Sequence, residues 1–339
     1  MSLLHSCRCK VARRPRLPQG GEKVAYEIGH PYDTGVMPTG DGHHIYWELY
    51  GHPQGKPAVV LHGGPGSGAT PYWRQFFDPG RYRVVLFDQR GCGRSLPNAG
   101  DDVSALENNT TADLIRDLEA LRRLHSIKQW LVFGASWGST LGLSYAVRQP
   151  HSISELVLWA VVLTRSSDVH WITNVMGDVY PHEFDHLLLQ LPAYPKDGNI
   201  PLAFNQLLRS PDPIVADAAA RAWCGWEDRI ATLNGPVVPS RRSEDPRLRL
   251  GFARLVTHYF GNFAFQRDDA ITGSLDRIAH IPTFLLRGRL DVANPLRAAY
   301  EVAQGLSDVT LEIVENEGHG AGEETTARLV AVLDKLASE

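Results

Sequence analysis

Sulfur is scarce in this chain: three methionines and four cysteines among 339 residues. Cys7 and Cys9 are too close together for an ordinary structural bridge and have no partners that would complete a zinc site. Cys92 and Cys224 stand alone. Few, scattered cysteines fit a reducing compartment, and the expected localisation is cytoplasmic. An excess of positive charge is also missing. The formal net charge is −4, which gives no electrostatic case for nucleic acid. No apolar run approaches the ~18 residues of a membrane span. The first twenty residues are basic (Arg8, Lys10, Arg13, Arg14, Arg16) but contain no apolar stretch of the kind a secretory signal needs, so they read as a disordered extension, with a weak organelle-targeting arm as the alternative. Without such a signal the sequons at Asn108 and Asn109 read as loop residues ahead of a helix. Repeats and low-complexity tracts are absent as well.

The chain that remains has ordinary soluble composition, 43% hydrophobic and 21% charged, and is long enough for one large core with an insertion. Alternation over His44–Leu49 predicts a half-buried strand, and the apolar runs Ala58–Val60, Arg83–Phe87 and Trp130–Phe133 predict further strands. Thr110 with Asp113 three residues on predicts a capped helix carrying Leu114, Ile115, Leu118, Leu121 and Leu124 on one face. Strand and helix alternate as far as Val162. The pattern then stops and resumes near Ile281, and the stretch between is rich in Trp, His, Pro and helix formers. The expected organisation is an extension over 1–30, an α/β domain over 31–163 and 274–339, and a helical cap over 164–273. Its sheet is expected to be mostly parallel, with helices on both faces.

Gly134-Ala135-Ser136-Trp137-Gly138 lies between an apolar run and a helix-like stretch. A serine at a tight strand-to-helix turn is lifted out of the sheet and becomes accessible as a nucleophile. Upstream, the strand Ala58–Val60 runs into His62-Gly63-Gly64-Pro65-Gly66. Glycines there let backbone N–H groups point into a cleft, and the N–H groups of Gly64 and Trp137 are the expected oxyanion donors. The Gly-Lys-Ser/Thr ending of a phosphate-binding loop is absent. Downstream, Asp291 and His319 each follow a strand, Thr283–Leu286 and Thr310–Val314. The order Ser136, Asp291, His319 is that of a hydrolase triad, in which the histidine takes the serine proton and the aspartate holds the imidazole.

Four stretches together make the chain resemble a known family. They are His62–Gly66, Phe87-Asp88-Gln89-Arg90-Gly91-Cys92-Gly93-Arg94-Ser95, Asn108-Asn109-Thr110-Thr111 and Gly134–Leu141. The chain is similar to the prolyl aminopeptidases, or proline iminopeptidases, which are α/β-hydrolases with a helical cap. The resemblance runs from about Tyr32 to the C-terminus. It implies release of an N-terminal residue, usually proline, from peptides, amides or arylamides, with no metal or organic cofactor.

In that family a cap glutamate in a Trp-x-x-Trp-Glu stretch binds the substrate amine, and Trp223-Cys224-Gly225-Trp226-Glu227 keeps it. A second family glutamate is replaced by Val256, in Ala253-Arg254-Leu255-Val256-Thr257-His258-Tyr259-Phe260, while Phe260, an apolar wall, is retained. Val162 stands where the family has a phenylalanine. Trp171 is kept, but Ile172-Thr173 replace an aromatic pair. The resemblance therefore implies preserved chemistry with altered recognition: a serine hydrolase that cleaves after an N-terminal proline or other small residue, with a wider pocket. An amide or ester hydrolase, or an acyl-transfer enzyme, acting on a specialised small molecule is the alternative. It would need no free α-amine. Either reading gives a small peptide, amide or ester as partner.

Overall fold

The structure is a computed structural model that describes residues 25–233, 237 and 240–338. Cys7, Cys9 and the basic stretch before residue 25 lie outside the described residues.

The chain order is β1 (Asp33–Pro38), β2 (His44–Gly51), β3 (Lys56–Leu61), β4 (Tyr82–Phe87), α1 (Thr111–Leu124), β5 (Trp130–Ala135), α2 (Trp137–Arg148) and β6 (Ile153–Trp159). Helices α3 (Ser166–Thr173), α4 (Pro181–Leu188), α5 (Ile200–Leu208), α6 (Pro213–Ile230), α7 (Arg241–Glu244) and α8 (Pro246–Gly261) follow without an intervening strand. The α/β pattern then resumes with β7 (Thr283–Gly288), α9 (Arg297–Gln304), β8 (Val309–Val314) and α10 (Glu323–Leu336).

Eight strands form one sheet in the order β1-β2-β4-β3-β5-β6-β7-β8. β1–β2 and β2–β4 pair antiparallel and the remaining pairs are parallel. Strand periodicity sorts the core in two. Val59, Val85, Val132, Leu158 and Leu285 face α1 and α2 on one side; Val60, Leu86, Phe133, Val157 and Leu286 face Trp73, Phe76 and α10 on the other. The reading of α1 holds except at its last residue, Leu124, which is exposed at the helix end. Asp113 accepts from the Thr110 N–H at 2.8 Å and Thr110 caps Asp113 in return, while Leu114, Leu118 and Leu121 are buried.

The chain leaves β3 for β4 on one side and later enters β5 on the other. This reversal opens a crevice at the carboxyl ends of β3 and β5, where ligands of open α/β sheets bind. The pairing Leu61↔Gly134 and Ala135↔Trp159 sets the loops after β3, β5 and β6 side by side.

One boundary needs correction. Residues 25–30, assigned from sequence to the extension, pack on the sheet domain. The Tyr26 N–H donates to the Gln75 carbonyl at 2.8 Å, its hydroxyl donates to Asp334 at 2.8 Å, and Arg74 Nη1 donates to the Gly29 carbonyl at 2.7 Å. This docking leaves no local pattern, because the segment has no strand or helix periodicity. It is held by side chains from residues distant in sequence.

Candidate active site

β5 ends at Ala135 and α2 begins at Trp137, so the whole turn falls on Ser136. Its φ is +54° and ψ −124°, a strained conformation for a residue with a Cβ. Two glycines permit it. A Cβ on Gly134 would lie 2.6 Å from the Gly138 carbonyl oxygen, and one on Gly138 would lie 2.0 Å from that of Leu61. The turn, α2 and the end of β3 are therefore in backbone contact, which fixes the direction of the serine.

His319 lies five residues past β8 and Asp291 three past β7. The Ser136 Oγ is 3.0 Å from His319 Nε2, and His319 Nδ1 donates to Asp291 Oδ2 at 2.7 Å. A carboxylate at Nδ1 fixes the proton there and leaves Nε2 as the acceptor facing Ser136. Asp291 is buried, and burial alone would raise its pKa. His319 and the Arg287 guanidinium outweigh that and hold the carboxyl below its ordinary range. Arg287 Nη1 is 3.0 Å from Asp291 Oδ2 and also donates to the Val161 carbonyl. Asn294 Nδ2 donates to the other carboxylate oxygen at 3.3 Å. Neither Arg287 nor Asn294 was identified from sequence. Arg287 had a signal: it is the one charged residue in an otherwise apolar strand, four positions before Asp291.

Both expected oxyanion donors border the site. Trp137 is the first residue of α2, and the opening N–H groups of a helix have no carbonyl within it to bond. Gly64 has φ +109° and lines the cavity. The glycine lying against the nucleophile is Gly63, where a Cβ would sit 3.3 Å from that of Ser136. Asp88–Ser95 braces this floor. Gln89 accepts from Trp137 Nε1 at 2.9 Å and donates to the His62 carbonyl at 3.0 Å, tying the two donor loops together. Arg90 grips Asp117 with two bonds of 2.6 and 2.7 Å. Asn109 accepts from the Tyr259 hydroxyl at 2.7 Å, connecting the floor to α8.

Above Ser136 lies a cavity of about 350 Å³, floored by the sheet loops and roofed by α3, α6, α7 and α8. Glu227, Phe260 and Val162 line it, as expected. Val256 and Trp171 do not. Val256 is fully buried in the cap core with Trp223, Phe204 and Phe260. It is one helical turn from both Phe252 and Phe260, whose larger rings reach the cavity while it is covered. Trp171 packs on the same core and its indole donates to the Val292 carbonyl at 3.0 Å. Tyr72, Trp73, Trp159, Ile230, Arg242 and Phe252 also bound the cavity and were not singled out from sequence.

Glu227 accepts from Trp223 Nε1 at 3.0 Å. Its carboxyl opens onto the cavity but is enclosed by protein. Burial, partly opposed by Arg242 and by the indole bond, pushes its pKa up to about 7. An acid so placed gains by meeting a cation. Among the described residues, no three His, Cys, Asp or Glu side chains are grouped to hold a metal, and no helix is long and apolar enough to cross a membrane.

A strained serine at a strand–helix elbow, an imidazole oriented by a carboxylate and a capped crevice at the sheet's carboxyl edge define an α/β-hydrolase. Residues 56–195 match the α/β hydrolase fold family. Among solved structures the chain is similar to the esterase RhEst1 from Rhodococcus, with a TM-score of 0.57, 18% identity, and coverage of 90% of this chain and 98% of that one. Within the fold the kinship is narrower. The chain is 47% identical over 91% of its length to a Streptomyces coelicolor protein named "Probable proline iminopeptidase", covering 96% of that protein. It is 39% identical to proline iminopeptidases of Arabidopsis thaliana and Neisseria gonorrhoeae, over 93% and 87% of its length and 82% and 93% of theirs. The chain belongs to the proline iminopeptidase family of serine hydrolases.

Proposed function

We propose that this protein is a serine aminopeptidase that cleaves the amide after a small N-terminal residue, proline included, with recognition altered from the family pattern. The observation that carries the reading is the aligned relay from Ser136 through His319 to Asp291, facing a cavity whose roof presents the Glu227 carboxylate. The substrate's terminal ammonium docks on Glu227, which sets its carbonyl over Ser136. His319 takes the serine proton as Oγ attacks. The oxyanion forms between the N–H groups of Gly64 and Trp137, where each donor is worth ~10²–10³ in rate. His319 then protonates the departing amine, and water activated by the same imidazole releases the acyl group. Val162 and the covered Val256 support the altered recognition. Of the two carboxylates that border the cavity, Asp168 is paired with Arg165, which leaves Glu227 for the amine, and the wall at Val162 is shallower than an aromatic would make it.

The test is Glu227→Gln, assayed on aminoacyl arylamides with free and with N-acetylated amines. A charge-assisted contact contributes about 1.5–3 kcal/mol, so kcat/KM on free-amine substrates should fall ~10–100-fold. Slow turnover of blocked substrates should hold. Equal loss on both, or none on either, would replace this reading by the amide or ester hydrolase that needs no α-amine.

A further inference from the structure

The roof of the cavity holds a cation as well as an acid. Arg242, the second residue of α7, lines the same space as Glu227. Its guanidinium carbon lies 4.0 Å from the centre of the Phe252 ring, a distance at which a cation is held over an aromatic face. One Nη donates to Asp228. Its Nε is closed to solvent and has no acceptor among the described residues. About 21% of its side-chain surface remains open. The guanidinium is thus fixed on two sides, and the residue borders the substrate space.

For an ammonium alone Arg242 works in two directions: it favours the ionised form of Glu227, yet it repels the cation that Glu227 attracts. An acyl group carrying both signs satisfies both. Resting on the reading of Glu227 as the ammonium partner, we propose that the preferred acyl group bears a carboxylate beside its free amine, with Glu227 holding the ammonium and Arg242 the carboxylate. The substrate class is a dicarboxylic aminoacyl amide, linked through either its α- or its side-chain carboxyl. A planar guanidinium with free N–H edges suits carboxylate better than a point charge does.

The experiment measures kcat/KM on pairs of free-amine 4-nitroanilides that differ in the carboxylate. The α-glutamyl and α-glutaminyl pair tests one linkage; the γ-glutamyl and 4-aminobutyryl pair tests the other. The expected result is a preference of about tenfold or more for the acidic member of one pair. That preference should collapse towards unity in Arg242→Gln and be partly kept in Arg242→Lys. Free glutamate should inhibit the wild-type enzyme more strongly than glutamine does, a readout that needs no variant. Turnover of prolyl or alanyl anilide with no acidic preference in either pair would overturn the role of Arg242 and leave the aminopeptidase reading standing. A preference that survives in a folded Arg242→Gln protein would also overturn it. Failure to turn over any free-amine anilide would sink both.

Discussion

The floor and the roof of the cavity are built on different principles. On the floor, backbone geometry decides. Strand register sets the loops level, glycines allow the contacts around Ser136, and Gln89, Arg90 and Asp291 are held by buried partners. On the roof, helices pack through side chains, and a change of one residue alters the cavity without disturbing the fold. Trp223 and Trp226 hold α6 in the cap core, while Glu227 and Arg242 project from it. The floor fixes a reaction that tolerates little variation, whereas the roof can be retuned. Of the departures from the family pattern, Val162 borders the cavity from the loop after β6, whereas Val256 is covered within the cap core.

If that division is right, floor substitutions abolish chemistry and roof substitutions redistribute it. The largest effect is expected for Ser136→Ala, which should lower kcat by about 10⁴-fold or more on every substrate, read by initial rates against a folded control. Next is Arg287→Met. It leaves the Asp291 carboxylate buried without its cation, and removing one partner of a buried pair typically costs about 3–5 kcal/mol, measurable by urea unfolding. Stability unchanged in this variant would show that Asn294 and His319 suffice.

The third effect is one of pH. Glu227 has a folded pKa of about 7 against an ordinary 4.5. The folded state therefore holds the proton more tightly than the unfolded chain. The associated stability is full below 4.5 and is lost as pH rises through about 7. Glu227→Gln should remove this dependence and make the variant relatively more stable at pH 8 than at pH 5, as followed by thermal midpoints. Activity should run the other way. The wild-type to variant ratio of kcat/KM on a free-amine substrate should rise with pH through about 7, because kcat/KM reports the free enzyme. The smallest effect is expected for Val162→Phe, which narrows the cavity. Selectivity for prolyl over larger aminoacyl arylamides should increase by about tenfold at most, while the rate on the preferred substrate changes less.

The same division explains what could be read from sequence. Ser136, Asp291 and His319 were legible because each follows a strand, and strands announce themselves by local pattern. Gln89 and Arg90 sat in a stretch that the family resemblance marked, but their roles in joining the donor loops needed the three-dimensional contacts. The cap was less legible. Phe252, Val256 and Phe260 recur every four residues on one face of α8, and only the packing around them decides that the middle one is covered. Arg242 lies in a short run of Ser, Arg, Glu and Asp that carries no apolar periodicity. Its placement over Phe252 depends on how α7 folds back on α8. Residues 25–30 were missed for a similar reason, since what orders them is supplied by Gln75, Arg74 and Asp334.

The central claim is that one reaction centre serves substrates chosen by a free amine. The most direct test is the ratio of kcat/KM for a prolyl or alanyl arylamide over its N-acetylated form. The account predicts a ratio of about 100 or more in wild type, falling towards one in Glu227→Gln, with both activities lost in Ser136→Ala. Equal turnover of the free and blocked forms by the wild-type enzyme would contradict it.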